Sequence, residues 1–456
     1  MTHWIAPQFA PHAADAVRLV LTAEGTPKPG RWTERTGPPR TLVLGHDPTS
    51  WLATGGHLIE AMRALDLGMV QLPNAAEIGA DAWKDVATGA LLHGFRLAQG
   101  RAIARPEEAG LTLVFDPADK ALADHVAQAT TPINRARAWV EQPANLLTPK
   151  VFAQEATEAL TAAGATTRTL DRAALQALGA GGLLAVGRAS GNPECLFVAE
   201  WRGAPERDGW DAVLVGKGVT FDAGGLNLKV RPVIEKMKFD MGGAAAVLGA
   251  FEAAVTRRAK ANFAVVVPMT ENMIGSDGYR PGDVIRMLSG QTVEVINTDA
   301  EGRIVLADGV TYAIREYDPR HLVDVATLTG MITGVLHEEF AGLYASDDTL
   351  AAALTQAGEG CGEALWRMPL TKRQDYLVDS PIADVANMGA PGALGLGIGS
   401  PAAGAKFIER FTGGRSWAHI DIAGTAWASR RTDRSGAGAT GFGVALLDAW
   451  IAGLEG

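Results

Sequence analysis

Cysteine is nearly missing. Cys195 and Cys361 are the only two in 456 residues, so no disulfide framework can staple this chain, and the pair fits a reducing compartment. An excess of basic charge is missing too: 41 Lys and Arg stand against 51 Asp and Glu, a net charge of −10. That balance argues against non-specific nucleic-acid binding, which needs a basic face. The short clusters Arg257-Arg258 and Arg430-Arg431 read as solvated helix or loop surface. No run of about 20 apolar residues suggests a membrane span. The start, Met1-Thr2-His3-Trp4-Ile5-Ala6-Pro7, lacks a basic region followed by an apolar core, so no signal peptide is expected. A soluble cytoplasmic protein is the default expectation.

Several catalytic signatures are absent as well. Gly216-Lys217 follows an apolar run, but a phosphate loop needs Gly, four residues, then Gly-Lys-Ser/Thr. Here Ala212 holds the first position and Gly218 follows the lysine. His337-Glu338-Glu339-Phe340 lacks the second histidine of a zinc-protease helix, and no Gly-x-Ser-x-Gly elbow occurs. Lone histidines such as His46, His57, His93 and His419 therefore read as surface, capping or core residues. No internal repeat is visible.

What is present is a globular composition, 47% hydrophobic and 20% charged, on a chain too long for one ordinary core. Residues 1–125 read as a small N-terminal α/β domain with a scaffolding or assembly role. Its expected strands are 18–22, 41–44 and 111–115, with a helix over 80–99 and a loop over 25–40. A helical pattern over 118–142 stops at Gln142-Pro143, so residues 126–149 are the expected connecting helix and linker. From 150 to 456 strands and helices alternate, which predicts a larger C-terminal α/β domain whose mainly parallel or mixed central sheet is flanked by helices. Its expected strands include 196–199, 211–215, 263–267, 321–326 and 416–422, and its helices 151–163, 240–259 and 442–451.

The candidate chemistry is carboxylate-rich. Asn297-Thr298-Asp299-Ala300-Glu301-Gly302-Arg303 follows the β-branched run 292–296. If the backbone stays extended, Asp299, Glu301 and Arg303 share a face; a helix over 304–314 instead implies a turn. Alone, the stretch is either an ion-paired surface rim or a cation site, since carboxylate oxygens suit hard divalent metals. Asp222, in the glycine-rich turn after 211–215, and Asp240, expected to open a helix, bring the carboxylates to four. Two dications would balance that charge in a buried pocket. Lys217, Lys229, Lys236 and Lys238 intervene, and a lysine beside metals can become a neutral ligand. Spacing does not say which.

These blocks together resemble the leucyl aminopeptidase (cytosol aminopeptidase) family. The heptad 297–303 matches its signature, and 215–225 looks like its metal-binding loop, with Lys229 and Asp240 at the family's spacing. The blocks 143–149, 279–283, 289–292, 326–330 and 421–426 agree, so the likeness covers about residues 130–450. The resemblance implies a metal-dependent aminopeptidase acting on short peptides, leucine-like termini preferred, by a metal-bridging water. It implies two divalent ions, Mn2+ or Zn2+, bridged by Asp222 and Glu301, with Lys217 and Asp240 on one and Asp299 on the other. It further implies that Lys229 stabilises the oxyanion, Arg303 holds bicarbonate, and Met237, Thr327, Gly330 and Ala423 surround the side-chain pocket. A homohexamer of two trimers is implied as well. Residues 1–125 match loosely, and the Gly-rich Ala390–Gly399 stretch is expected to border the active-site entrance. Two other functions fit parts of the chain: a two-metal phosphoesterase, for which no dedicated phosphate donors are found, and a DNA-binding role, which the acidic balance disfavours.

Overall fold

Ala212–Val215 is a run of apolar residues with two β-branched members, and it forms the fully buried strand Ala212–Gly216. This strand lies inside a nine-stranded mixed sheet. On one side it pairs in parallel with His321–Ala326, which pairs in parallel with Trp417–Asp421; on the other it pairs in parallel with Asn262–Asn272. Antiparallel strands extend both flanks: Ala341–Ala345 beside Trp417–Asp421, and Cys195–Arg202 then Thr166–Leu170 beyond Asn262–Asn272. The expected α/β class with a mixed, centrally parallel sheet is what the fold has.

This computed structural model describes residues 4–5, 8–10, 16–22, 28, 30–35, 40–45, 50–97, 110–389 and 400–455. His46 and the Ala390–Gly399 stretch lie outside them. The chain divides into two compact units, one of residues Met1–Ala138 with Ala428–Thr440 and one of Trp139–Trp427 with Gly441–Gly456. The helical pattern expected over 118–142 is the helix Lys120–Glu141, and the division falls within it.

In the larger unit, successive crossovers leave the strand Ala212–Gly216 in opposite directions. The helix Gly242–Thr256 leads to Asn262–Asn272 on one side, and the helix Glu301–Tyr317 leads to His321–Ala326 on the other. Right-handed crossovers in opposite directions put the two helices on opposite faces of the sheet. Val213 and Val215 pack with Ile304, Val305, Leu306 and Val310 of one helix. The other helix lies so close that a Cβ on Gly243 would sit 2.0 Å from the Val325 carbonyl. The segment Ile234–Thr256 is long and apolar enough to cross a membrane, but 89% of its apolar window is buried inside the fold. It is a core helix.

Asn262–Asn272 runs past the expected end at Val267. Its residues 263–266 pair with Ala212–Val215, and 269–272 pair with the next strand, Gly218–Asp222. Pro268 falls in the gap between the two partners, where a missing N–H costs no rung with either. The extension carries Glu271 and Asn272 to the carboxyl end of the sheet.

The smaller unit is a six-stranded sheet whose order is Gln8–Ala10, Thr112–Val114, Met69–Gln71, Val17–Thr22, Thr41–Gly45, Trp32–Arg35. Only the last pairing is antiparallel. The helix Ala80–Gly94 packs on a second helix, Trp51–Ala64, that hydropathy does not announce because Gly55-Gly56 read as breakers. Those glycines serve close approach instead: a Cβ on Gly89 would lie 2.0 Å from the Leu52 carbonyl, and one on Gly55 2.1 Å from that of Val86. Both obstacles are backbone, so neither yields easily. Gly89→Ala is expected to destabilise this unit by about 1–3 kcal/mol through overpacking, although alanine is the better helix former. The denaturant midpoint of the unit's transition measures it.

Candidate metal centre

Ligands in such sheets gather at the carboxyl ends of the strands, where the chain order reverses. Lys217 follows Ala212–Gly216, Asp222 ends Gly218–Asp222, Asn272 ends Asn262–Asn272, Thr327 follows His321–Ala326 and Asp421 ends Trp417–Asp421. One edge of the sheet thus supplies most of the polar side chains of the site.

The heptad 297–303 does not stay extended. The strand Thr292–Glu294 ends early, residues 298–299 turn, and a helix begins at Glu301. The shared face expected of an extended chain is therefore corrected: Asp299 comes from the turn, while Glu301 and Arg303 come from the first helical turn. The position favours Glu301 as an anion, because a helix N-terminus carries partial positive charge. Asn297 stabilises the turn by accepting the Asp299 amide at 2.7 Å. Thr298, fully buried, ties it to the glycine-rich loop: its hydroxyl donates to the Gly224 carbonyl at 2.6 Å and its amide to Asn227 Oδ1 at 2.9 Å. The Thr298 carbonyl accepts from Tyr279 Oη at 2.6 Å and Asn272 Nδ2 at 2.9 Å. Gly224 adopts φ +88°, and a Cβ there would sit 2.7 Å from Asp299 Oδ1, so the close approach of the two loops requires glycine.

Carboxylate oxygens of Asp222, Asp299 and Glu301 all lie within 4.8 Å of one another. Asp240 joins them through Lys217, whose ammonium is 2.8 Å from Asp240 Oδ2, 2.9 Å from Glu301 Oε1 and 3.0 Å from the Thr327 carbonyl. Lys229 Nζ lies 2.8 Å from Asp222 Oδ2 and 2.6 Å from Asp299 Oδ1. The structure thus separates the four lysines. Lys217 and Lys229 enter the cluster, Lys236 is exposed, and Lys238 donates to the Glu141 carbonyl. Asp240 does not open a helix as expected. It closes the 3₁₀ turn Ile234–Phe239, two residues before the helix Gly242–Thr256.

Electrostatics follow from burial. Asp222, Asp240 and Glu301 are almost inaccessible, at 2%, 4% and 1% exposure. Four carboxylates against two ammonium groups leave two negative charges over. Burial and the neighbouring Glu301 and Asp222 charges push Asp299 up to about 7, and burial raises Asp222 and Asp240 as well. Glu301 alone falls below its usual range: burial opposes, but Lys217 and Lys229 outweigh it. Burial also works against the charge on Lys217, yet Asp240, Glu301 and Asp222 hold its ammonium above the usual range. Glu301 Oε2 and Asn272 Oδ1 are buried with no hydrogen-bond partner. A clustered set of carboxylates with a buried unpartnered oxygen and excess negative charge fits hard divalent cations.

Arg303 is 3% exposed, donates from Nη1 to the Asn387 carbonyl at 2.8 Å and leaves Nε buried without a partner. Burial draws it down to about 10 despite Glu301 and Asp421. A buried guanidinium with a spare donor fits a small planar anion. Among the expected pocket residues, Thr327 donates to Asp240 Oδ1 at 2.8 Å, and Asp421 holds Leu328, Thr329 and Ala423 together through three hydrogen bonds. Gly330 is exposed, with no atom within 4 Å of where a Cβ would stand. Met237 is buried in the turn that ends at Asp240. His419, read as structural, pairs within the sheet with Asp324 at 2.5 Å.

Asn227, Asn272 and Asn387 escaped the sequence reading. Each is an isolated amide without charge or repeat spacing. Only the end of the strand at Asn272 offers a signal, and Pro268 masks it.

A carboxyl group whose folded pKa is raised binds its proton more tightly in the folded state. Its stabilising effect is present below the unfolded value of about 4 and is lost as pH rises through the folded one. Chelator-treated protein is therefore expected to lose thermal stability from about pH 4 to about pH 7 in the part due to Asp299, and Asp299→Asn to flatten that slope. Melting temperatures across a pH series measure it.

Residues 134–448 match the catalytic domain of the cytosol aminopeptidase family. A probable cytosol aminopeptidase of Brucella anthropi is 40% identical over 415 residues, covering 89% of this chain and 81% of that protein. One of Agrobacterium fabrum is 39% identical over 450 residues, covering 96% and 86%. The solved structure of the bottromycin maturation enzyme BotP in complex with Mn superposes with a TM-score of 0.85 at 30% identity, covering 97% of this chain and all of that one. With the family's catalytic domain matched over residues 134–448 and relatives about 40% identical along most of its length, this chain belongs to the cytosol aminopeptidase family and is a metal-dependent peptidase.

Proposed function

We propose that this aminopeptidase hydrolyses the N-terminal peptide bond of short peptides, prefers leucine-like residues and works with two divalent ions, Mn2+ or Zn2+. The convergence of Asp222, Asp299 and Glu301 within 4.8 Å, with Glu301 Oε2 buried and unpartnered, carries the reading. The manganese named for BotP supports Mn2+ as one choice. Asp222 and Glu301 would bridge the ions, Lys217 and Asp240 would complete one site, and Asp299 the other by its side chain and backbone carbonyl. Ions held there would supply Lewis acidity, lowering the pKa of a bound water and anchoring the substrate's free amine, and a bicarbonate held at Arg303 would supply a proton acceptor.

The chain's own residues supply the rest. Lys229, kept charged by Asp222, Glu301 and Asp299 against the cost of burial, offers a donor where the scissile carbonyl becomes negative. Arg303 cannot act as a base, but its planar fork can orient the bicarbonate in a fixed plane. Met237, Thr327, Gly330 and Ala423 wall the pocket for the terminal side chain, and the open space at Gly330 admits a branched one. Residues 1–125 serve assembly into a hexamer, residues 150–456 carry catalysis, and the protein acts in the cytoplasm.

Leucine p-nitroanilide is the direct substrate for a test. Hydrolysis is expected to stop on chelation and to return with Mn2+ or Zn2+; undiminished turnover by Glu301→Ala would sink the reading. Lys229→Ala is expected to lower kcat by about 10²–10³, the usual loss for one donor to a developing oxyanion, while KM changes little.

A further inference from the structure

The turn that delivers Asp299 and Glu301 has almost no regular backbone pairing of its own. The strand before it stops at Glu294 and the helix after it starts at Glu301. From the opposite side, the short strand Val385–Ala386 pairs in parallel with Thr292–Glu294 and presents Asn387 to the turn. The Asn387 amide donates to the Glu294 carbonyl at 2.9 Å, which continues the pairing by one rung.

The Asn387 side chain is fully buried and spent on the turn. Oδ1 accepts the amides of Ile296 at 2.7 Å and Asn297 at 3.3 Å. Nδ2 donates to the carbonyls of Asn297 at 2.6 Å and Ala300 at 3.4 Å. Two acceptances and two donations exhaust what a carboxamide can make. The residue's backbone carbonyl then accepts Arg303 Nη1 at 2.8 Å. One residue therefore grips the turn on both sides of Asp299 and fixes the guanidinium two residues past Glu301. An Asp would keep the acceptances and lose both donations; an Ala would take a partner from the amides of Ile296 and Asn297 and the carbonyls of Asn297 and Ala300, of which the Asn297 carbonyl keeps the Ala300 amide.

We propose that Asn387 is a positioning residue of the metal centre: it fixes the turn 296–300, and with it Asp299 and Glu301, while its carbonyl anchors Arg303. The inference rests on the two-ion reading above and deepens it. Groups that orient metal ligands without touching the metal typically change affinity about 10–100-fold when lost.

The test is equilibrium dialysis of Mn2+ against the full-length wild type, Asn387→Ala and Asn387→Asp, with circular dichroism, melting temperature, kcat and KM measured on each. A folded Asn387→Ala is expected to bind Mn2+ about 10–100-fold more weakly, with kcat reduced and with KM and the melting temperature of the metal-free protein nearly unchanged. Asn387→Asp is expected to fall between it and the wild type. General loosening of the fold would instead lower the melting temperature of the metal-free protein, which counts against positioning. A folded Asn387→Ala with both Mn2+ affinities and kcat within twofold of wild type overturns the proposal. If that variant does not fold, wild-type Mn2+ binding by Asn387→Asp overturns it equally. A wild type that binds two Mn2+ yet hydrolyses no peptide refutes the aminopeptidase reading, and the dialysis still judges Asn387.

Discussion

Burying like charges together is the constraint on which the larger unit depends. Asp222, Asp240 and Glu301 are almost sealed from solvent and Asp299 is partly so, with Lys217 and Lys229 as the cations in contact. Isolated carboxylates in such a place would simply take up protons. Asp299 and Asp222 are already pushed that way, while Glu301 is held ionised by the two lysines. A cluster poised in this manner lacks positive charge, and that deficit is the physical content of a metal site.

The sheet makes the arrangement attainable. Lys217 and Asp222 sit at strand ends and Glu301 and Arg303 in the first turn of a helix, so their positions are set by buried hydrophobic elements rather than by the charges themselves, while Asp240, Asp299 and Lys229 come from the turns and loops between those elements. Lys217 shows this well. Its backbone amide donates to the Val325 carbonyl and its own carbonyl accepts the Ala244 amide, both at 3.0 Å or less. Gly302 leaves room for its side chain, since a Cβ there would lie 2.7 Å from Nζ. Val213, Val215 and the helix Glu301–Tyr317 supply the apolar burial that holds the ammonium among carboxylates in place.

What could be read from the sequence divides along the same line. Apolar runs and helical periodicity announced themselves: the strands around 213, 323 and 419 and the helix before Gln142 fell where hydropathy put them. Charged residues in ordered blocks also stood out, and the fold brings Lys217, Asp222, Lys229, Asp240, Asp299 and Glu301 into one cluster. Local backbone geometry was less visible. The backbone at 298–299 stood open between strand and turn, because Ile296 and the β-branched residues before it favour a strand and 304–314 a helix; the buried contacts of Thr298 and Asn387 decide the issue. The close helix contact at Gly55 and the change of strand partner at Pro268 are tertiary facts with no local signal.

The least visible residues are those that hold others. Asn227, Asn272, Asn387 and Tyr279 bring no net charge to the site, yet between them they satisfy backbone groups from Ile296 to Ala300 and one oxygen of Asp222. Neutral amides suit that task, because they donate and accept at once without altering the charge count. A charged clamp would disturb the balance it is meant to frame. The division between charged residues that form the cluster and neutral amides that aim them therefore follows from electrostatics: the tighter the cluster of carboxylates, the more its supports must be polar without being charged.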